Sequence, residues 1–228
     1  FYYQYPYRDL EGKKLKYTVS ELKKRAYLAE EAGELPYEDE PVVPLIPRFL
    51  QGEEEITGAP RGTAYHRVME LLDFTKEYDL EGTEAAIEKM CESGRIAGEM
   101  AESVRPKDIL TFIHTTSGQR MKQAAEENKL RKEQPFVLGI PARDIYPEMT
   151  EEDETMLVQG IIDVCFEEDG ELVVLDYKTD KIWSEQKLLD KYQSQLEYYA
   201  RALEQITGKK VREKIIYSFT MQKELAWK

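Results

Sequence analysis

The stretch from Val158 to Asp180 constrains the fold most strongly, because it contains two β-rich runs separated by Asp169-Gly170. Asp-Gly between two such runs is a strong sequence signal for the two-residue turn of a β-hairpin. A turn centred on this dipeptide determines the register of the two strands. The predicted pairs are Phe166 with Val173, Cys165 with Val174, and Asp163 with Asp176.

The charged residues of this hairpin share one predicted face. Side chains alternate along a strand, so Asp176 and Lys178 point to the same side, and Asp163 lies beside them. Like charges that face each other destabilise a sheet, and buried charges need partners. A divalent cation that prefers oxygen ligands, Mg²⁺ or Mn²⁺, would satisfy both carboxylates and also bind phosphate oxygens. An Asp–Lys ion pair at the end of a strand is the alternative, and Asp-x-Lys alone does not decide between them.

A helix is predicted from Arg61 to Asp73, with Pro60 in its first turn. Its predicted buried stripe consists of Tyr65, Val68, Met69 and Leu72. Gly62 lies one helical turn before His66, so a bulky group can approach the imidazole. We interpret His66 as a candidate metal ligand because of the hairpin acids. Without those acids, a histidine beside an apolar face would be interpreted as a structural residue.

A long helix is predicted after the hairpin, from its N-cap Ser184 to Ile206, and Thr207-Gly208 ends it. One predicted stripe consists of Leu189, Leu196 and Leu203. A second stripe consists of Tyr192, Gln195 and Tyr199, whose spacing places them on one face. Tyrosines on a helix often belong to the core, but a glutamine between two of them favours a role at the substrate.

The N-terminal residues are predicted to lie outside the main domain. Residues 1–55 form an arm and a proline-rich linker with one short helix, for which Ser20 is the predicted N-cap. Residues 56–228 form the main domain. The chain begins at Phe1 without an initiator methionine, and we expect it to be a fragment of a longer polypeptide.

A helical insert is predicted between the first helix and the hairpin. Residues 83–128 are predicted to be helical, with Thr83 and Ser117 as N-caps. The predicted breaks are at Gly94, Pro106 and Ser117-Gly118.

The remaining segments are predicted strands. A short edge strand runs from Lys129 to Leu138, because Pro135 interrupts its run, and a last strand runs from Val211 to Phe219. Residues 221–228 are predicted to be a frayed end or the start of more chain. The last strand follows the long helix, so the sheet must be partly parallel, with that strand on the far side of the hairpin. The predicted class is α/β with a mixed sheet.

Composition excludes several classes of protein. No run approaches the roughly 18 apolar residues of a membrane span, and no signal peptide opens the chain, so we expect an intracellular protein without a membrane partner. The two cysteines, Cys91 and Cys165, cannot form a four-cysteine zinc or iron–sulfur site. The net charge of −13 opposes tight DNA binding by this chain alone, because DNA affinity comes mainly from neutralising phosphates.

Four motifs taken together resemble the ordered signature of a known family. They are Gly62-x-x-x-His66, Gly160-x-x-Asp163, Asp176-Tyr-Lys178 and Tyr192-x-x-Gln195-x-x-x-Tyr199. The set resembles that of the RecB-like branch of the PD-(D/E)XK nucleases over about residues 17–219. Arg-Gly-Thr-Ala-x-His and Asp-Tyr-Lys-Thr-Asp look closest to the C-terminal nuclease domains of AddA subunits of bacterial AddAB helicase–nucleases. The resemblance implies a restriction-endonuclease-like core of helix, three-stranded meander, helix and strand, with the helical insert and the N-terminal arm added.

The resemblance also implies roles for individual residues. The implied metal ligands are His66, Asp163, Asp176 and the carbonyl oxygen of Tyr177. Lys178 would orient or activate the attacking water, so the implied catalytic residues are Asp163, Asp176 and Lys178. The implied substrate-binding residues are Gln195, Tyr199 and Tyr192. Glu133, in a Glu-x-Pro-Phe stretch, is a further candidate. The implied cofactor is Mg²⁺, for which Mn²⁺ would substitute, with no iron–sulfur cluster.

The function implied is that of a metal-dependent DNA exonuclease domain in the bacterial cytoplasm. It would hydrolyse a single strand delivered by a helicase part of the same polypeptide, during processing of double-strand breaks for recombinational repair. A second helicase/nuclease subunit is an expected partner. One alternative is a catalytically idle, nuclease-like module that binds DNA ends or docks a partner subunit. Another is a stand-alone recombination exonuclease, which the missing methionine and the proline-rich arm disfavour.

Overall fold

The computed structural model of this chain describes residues 15–22, 61–146 and 155–228. Most of the predicted arm and its proline-rich linker lie outside these residues, so the division of the chain after residue 55 stays a prediction. The chain divides into two compact units. The described residues of the first unit are 15–22, 135–146 and 155–161, and those of the second are 61–134 and 162–228.

In the first unit, a short strand leads directly into a helix. The strand β1 (Lys16–Thr18) pairs in parallel with residues 157–159, and residues 19–22 are helical. The Thr18 hydroxyl accepts a hydrogen bond from the N–H of Glu21 at 3.2 Å, and the Glu21 carboxylate accepts one from the N–H of Thr18 at 2.9 Å. This reciprocal capping box makes Thr18 the N-cap. The prediction of Ser20 as the cap was therefore wrong.

Between residues 61 and 126, the described chain forms five helices. They are α1 (Arg61–Leu71), α2 (Leu80–Glu92), α3 (Gly98–Ser103), α4 (Pro106–Ile113) and α5 (Thr116–Glu126). The predicted stripe of α1 is buried, including Leu72 just after its end. Gly94, with a φ of 69°, follows α2, and Pro106 begins α4, so these two predicted breaks are confirmed. No helix in the described ranges is long and apolar enough to cross a membrane.

Both N-caps predicted for the helical insert were wrong. Asp79, and not Thr83, caps α2, because its carboxylate accepts a hydrogen bond from the N–H of Gly82 at 2.7 Å. Thr115, and not Ser117, caps α5. Asp79 lies four residues before the predicted cap and Thr115 lies two residues before it. Asp, Ser and Thr are all preferred at N-caps because each has a side-chain oxygen that accepts a hydrogen bond.

The predicted break at Ser117-Gly118 was also wrong, because both residues lie inside α5. A Cβ at Gly118 would lie 2.6 Å from the carbonyl oxygen of Ile113 and closer still to that of Phe112. Gly118 therefore allows α5 to pack directly on the end of α4 instead of ending a helix.

The hairpin has the predicted turn and register. The strands β3 (Thr155–Glu168) and β4 (Glu171–Lys178) are antiparallel, and Phe166 pairs with Val173. Asp169 and Gly170 have φ values of 53° and 84°, as a type I′ turn requires. The predicted pair of Asp163 with Asp176 is not part of the strand ladder among the described residues, which stops one pair earlier.

The sheet is mixed, which confirms the predicted α/β class. Its order is β1-β3-β4-β5-β6, and β2 (Leu130–Pro141) pairs with β3. The strand β5 (Val211–Ser218) lies parallel to β4 on the side away from β3, as predicted. The strand β2 pairs with β3 alone among the described strands, so it is an edge strand, but at 12 residues it is longer than predicted.

The prediction for residues 221–228 was wrong, because they contain a sixth strand. The strand β6 (Lys223–Trp227) pairs antiparallel with β5. The carboxylate of Glu224 also accepts a hydrogen bond from the N–H of Ser117 at 2.8 Å. This contact joins β6 to the first turn of α5.

The long helix α6 (Glu185–Thr207) has the predicted ends. The Ser184 hydroxyl accepts a hydrogen bond from the N–H of Lys187, and Gly208 follows the helix with a φ of 69°. The buried leucine at the start of the first stripe is Leu188, whereas the predicted Leu189 is only half-buried.

Opposite faces of β4 have different surroundings. Val173, Leu175 and Tyr177 point into the main hydrophobic core. Phe112 lies at the centre of an aromatic cluster there, with ring centroids 5.2 Å from Tyr177 and 4.7 Å from Tyr217. The other face of β4 carries the two charged residues of the Asp-x-Lys pattern, and α6 packs against it.

Candidate active site

The charged face of β4 holds a buried ion pair. The Nζ atom of Lys178 lies 2.7 Å from an oxygen of Asp176, and the two side chains are only 8% and 1% exposed. The predicted alternation of side chains is therefore confirmed. Asp176 thus has a partner within the chain, as the ion-pair alternative expected.

Asp163 is also paired within the chain. Its carboxylate accepts a hydrogen bond from the N–H of Tyr177 at 3.0 Å and lies 3.2 Å from Nδ1 of His66. The other ring nitrogen of His66, Nε2, donates to the carbonyl oxygen of Tyr177 at 2.9 Å. The structure thus brings together three of the implied ligands, and each of the two acids also has a partner that can carry the opposite charge.

Gly62 lies close to another segment of the chain, and the predicted approach of a bulky group to the imidazole stays a prediction. A Cβ at this position would lie 3.1 Å from the hydroxyl oxygen of Thr179, the residue after Lys178. The segment that leaves β4 therefore passes close to α1. This close approach holds His66 beside the end of β4.

The electrostatics of the His66–Asp163 pair favour the charged form of both groups. Burial acts to lower the pKa of His66, but the Asp163 carboxylate outweighs it and raises that pKa to about 9. Burial acts to raise the pKa of Asp163, but His66, Lys178 and the N–H of Tyr177 together lower it to about 2. Without a bound metal, the pair is an imidazolium and a carboxylate at neutral pH.

Asp176 has the opposite tendency. Burial is the largest cause and raises its pKa to about 7, and the Asp163 carboxylate acts in the same direction. Lys178 opposes both effects. Two neighbouring carboxylates with pKa values pushed apart are typical of sites that bind cations or transfer protons.

Glu133 lies on β2, beside the end of α1. Its neighbour Lys132 donates a hydrogen bond to the carbonyl oxygen of Leu72 at 2.6 Å, which satisfies the C-terminal end of the helix that carries His66. Glu133 has a φ of 49°, which is unusual for a residue other than glycine. Strained backbone of this kind is often found at functional sites.

A candidate cation site lies between β2, β3 and α1. Ligand atoms of His66, Glu133 and Asp163 all lie within 4.8 Å of one another. Two carboxylates and one imidazole suit Mn²⁺, and the carboxylates suit Mg²⁺. In addition, the side-chain oxygen of Gln195 is buried without a hydrogen-bond partner in the described part of the chain. An unsatisfied acceptor beside Asp176 fits a hydrated ion, whose waters donate hydrogen bonds.

The predicted substrate stripe of α6 lies against the charged face of β4. The amide of Gln195 donates to the hydroxyl of Tyr199 at 2.6 Å and to an oxygen of Asp176 at 3.5 Å. Tyr192 is fully buried, and its ring centroid lies 4.2 Å from Nζ of Lys178. Gln195 and Tyr199 are also buried. The structure brings the stripe to the site, and the roles of its residues at a substrate stay predictions.

Asp180 is a residue of this site that sequence reasoning missed. Its carboxylate accepts hydrogen bonds from the hydroxyl of Tyr192 at 2.8 Å and from Nζ of Lys191 at 2.6 Å. The available signal was its place in the Asp-Tyr-Lys-Thr-Asp stretch, two residues beyond Lys178.

The chain is similar to known proteins over most of its length. The family model of the PD-(D/E)XK nuclease superfamily matches residues 25–226. Three similar proteins each carry the name of an ATP-dependent helicase/nuclease subunit. The relative from Clostridium novyi is 37% identical over 230 residues, covering 97% of this chain and 18% of the relative. The relative from Acetivibrio thermocellus is 37% identical over 224 residues, covering 95% and 17%. The relative from Lachnoclostridium phytofermentans is 34% identical over 218 residues, covering 81% and 16%.

The chain therefore spans less than one fifth of the length of these relatives. These matches confirm the resemblance that the four motifs carried.

Proposed function

The chain belongs to the PD-(D/E)XK nuclease superfamily, and we propose that it is a metal-dependent DNA exonuclease domain that hydrolyses phosphodiester bonds. The observation that supports this most directly is the cluster of His66, Glu133 and Asp163 beside the buried pair of Asp176 and Lys178. A cluster of ligands next to a buried ammonium group has the parts that phosphate hydrolysis needs: cation ligands and a fixed positive charge.

We assign the cation site to His66, Glu133 and Asp163, with Asp176 and the carbonyl oxygen of Tyr177 as further ligands. Mg²⁺ is the proposed ion, and Mn²⁺ is expected to substitute. When bound, a divalent ion supplies polarisation of a phosphoryl oxygen and acidification of a water. Binding through His66 requires the imidazole to lose its proton, so the metal and the proton compete for this residue.

The residues of the chain then have distinct tasks. Asp163 and Asp176 offer carboxylate oxygens from two neighbouring strands. Lys178 holds its ammonium group beside Asp176, where it orients the attacking water and offsets the charge that develops on the phosphate. Gln195 donates to Asp176 and so limits the rotation of that carboxylate.

The net charge supports the proposal that another part of the protein delivers the DNA to this domain, because the domain alone binds DNA weakly. A charge of −13 repels DNA at long range, so the domain alone is expected to bind DNA weakly. We propose that a helicase part of the same polypeptide delivers a single strand, as the names of the relatives suggest. Tethering gives effective concentrations on the order of millimolar, which compensates for weak affinity. In this proposal the domain acts in the bacterial cytoplasm, with a second helicase/nuclease subunit, on broken DNA ends during recombinational repair.

The test is digestion of end-labelled linear DNA, at low salt and high protein concentration, with Mg²⁺, Mn²⁺, Ca²⁺ or EDTA in parallel. Shortening from the labelled end with Mg²⁺ or Mn²⁺, and none with EDTA, is expected. Lys178→Met should abolish cleavage, whereas the matched variant Lys89→Met, which changes an exposed lysine on α2, should not.

One observation favours a second candidate function. Asp163 and Asp176 each have a charged partner within the chain, so the acids do not require a metal for neutralisation. A catalytically idle module that binds DNA ends or docks a partner would satisfy this arrangement. Such a module would bind labelled DNA without shortening it under any metal condition. Cooperative unfolding in a thermal melt would show that this inactive protein is folded.

A further inference from the structure

The residue Asp180 has two partners on α6 that tie it to the site. One oxygen lies 2.6 Å from Nζ of Lys191, and the other accepts a hydrogen bond from the hydroxyl of Tyr192 at 2.8 Å. The backbone that leads to Asp180 is held as well. The carbonyl oxygen of Lys178 accepts from the N–H of Phe219 at 2.8 Å, and that of Thr179 accepts from Thr220 at 3.2 Å. Hydrogen bonds of its side chain and of the preceding backbone therefore hold Asp180 in a defined position.

The tyrosine that Asp180 holds is a direct neighbour of the buried lysine. The ring of Tyr192 is fully buried, and Nζ of Lys178 lies 4.2 Å from its centroid. At this distance an ammonium group is attracted to the face of the ring. The same ammonium group lies 2.7 Å from Asp176. The ammonium group therefore contacts both a carboxylate and an aromatic ring.

The burial of Tyr192 decides what this residue can do. A side chain with no exposed surface has no area with which to bind a DNA strand in this structure. Its hydroxyl donates a hydrogen bond to Asp180, and its ring contacts the ammonium groups of Lys178 and Lys191, of which Lys178 is the nearer. Tyr192 therefore has the contacts of a group that transmits position from Asp180 to Lys178.

We propose that Asp180 is a positioning residue for the nuclease reaction, which acts through the Tyr192 ring to hold the Lys178 ammonium group in place. The inference rests on the proposed function. It gives Asp180 a role in positioning Lys178. It also changes the interpretation of Tyr192, which was predicted to contact the substrate and here contacts Lys178. A catalytic group displaced by about 1 Å can cost a factor on the order of 100 in rate, so a modest shift of the ring is sufficient to matter.

The first test is a kinetic double-mutant cycle on the metal-loaded protein. Asp180→Ala removes the anchor, and Tyr192→Phe removes only the hydroxyl that the anchor holds. Each variant is expected to lose roughly 10- to 100-fold in kcat, with KM and the apparent metal affinity unchanged. The double variant should lose no more than the worse single variant, because both changes break one interaction. Lys187→Met, which changes an exposed lysine of the same helix α6, is the matched control and should stay within about threefold of the wild type.

A purely structural role for Asp180 makes different predictions. In that case the loss of activity in Asp180→Ala would follow the loss of folded protein in thermal melts. Normal kcat in Asp180→Ala, or losses that multiply in the double variant, would overturn the proposal.

The second test does not depend on catalysis. In ¹³C-labelled protein, the Hε protons of Lys178 should show a ring-current shift, assigned by its absence in Lys178→Met. Asp180→Ala should move this signal towards the ordinary lysine position, and Tyr192→Leu should move it there fully. An unshifted Lys178 in the wild type, or a shift unchanged by Asp180→Ala, refutes the positioning role whether or not the protein cuts DNA. Conversely, a wild type that fails to cut under every metal condition but shows this pattern refutes the proposed function alone.

Discussion

Replacing the buried carboxyl of Asp176 by a neutral isostere is predicted to stabilise the metal-free protein at alkaline pH. Burial, together with Asp163, raises the pKa of Asp176 to about 7, against an ordinary value of 3.8, in spite of Lys178. The folded protein therefore binds this proton more tightly than the unfolded chain does. The resulting stabilisation is full below pH 3.8 and is lost as the pH rises through 7. Asn at this position does not ionise, so Asp176→Asn avoids that loss.

The size of the effect follows from the pKa difference. It corresponds to a free energy on the order of 4 kcal/mol between acidic and alkaline pH. For a chain of this length, each kcal/mol shifts Tm by roughly 2–4 °C. In EDTA, the margin by which Asp176→Asn melts above the wild type is expected to grow by several degrees between pH 5 and pH 8.5. Addition of Mg²⁺ at pH 8.5 should narrow the gap, because the ion stabilises the wild type through the carboxylate that the variant lacks.

The loss of the ion pair with Lys178 opposes this stabilisation, so the experiment shows which of the two effects is larger. Removing one partner of a buried ion pair commonly costs about 3–5 kcal/mol, because the other charge is left unpaired. If that cost dominated, Asp176→Asn would melt below the wild type at pH 8.5 through the isolated Lys178. Such a result would refute the argument that burial outweighs the ion pair. The control is Asp190→Asn, which changes an exposed carboxylate and should melt like the wild type at both pH values.

Two further predictions concern packing and capping, and thermal or urea unfolding measures both. Gly118→Ala should destabilise by about 1–3 kcal/mol, since its Cβ would overlap the carbonyl oxygen of Phe112. The control is Gly98→Ala on α3, which should be neutral or slightly stabilising because a Cβ there would meet no atom within 4 Å. Equal effects of the two changes would contradict the close approach of Gly118 to the carbonyl oxygen of Phe112. Thr18→Ala should cost about 1 kcal/mol through the lost capping box, whereas Ser20→Ala should cost little, and the reverse order would favour Ser20 as the cap.

The hairpin and its faces were predictable because they depend on local rules. The Asp169-Gly170 dipeptide specifies the turn, and strand alternation then places Asp176 and Lys178 together. Sequence spacing was likewise sufficient to put Gln195 and Tyr199 on one face of α6.

The partners of the acids could not be predicted, because they come from elements distant in sequence. Asp163 is paired by His66, which lies 97 positions earlier, and by a backbone N–H that no side-chain pattern reveals. Glu133 joins the same cluster only because β2 packs beside the end of α1. The motifs identified the residues of the site but not which residue neutralises which.

The predictions of the helix N-caps were wrong for a different physical reason. Asp, Ser and Thr have similar capping free energies, so Asp79 and Thr83 are equivalent candidates until packing selects one. The strand β6 was missed because Lys223 and Glu224 give its first half no apolar alternation. Its partner β5 supplies the missing hydrogen bonds, and no local signal reports that pairing.

The strand β6 also has a consequence for solubility. The segment from Lys214 to Phe219 is apolar and β-prone, a composition that favours addition of further strands from other molecules. In the folded protein β6 pairs with one edge of β5, and β6 itself begins with two charged residues, Lys223 and Glu224, which disfavour the addition of a further strand. Removing residues 220–228 would leave the motif residues intact but expose that edge. Such a shortened protein is expected to self-associate, and recombinant versions of the domain should extend at least to Trp227.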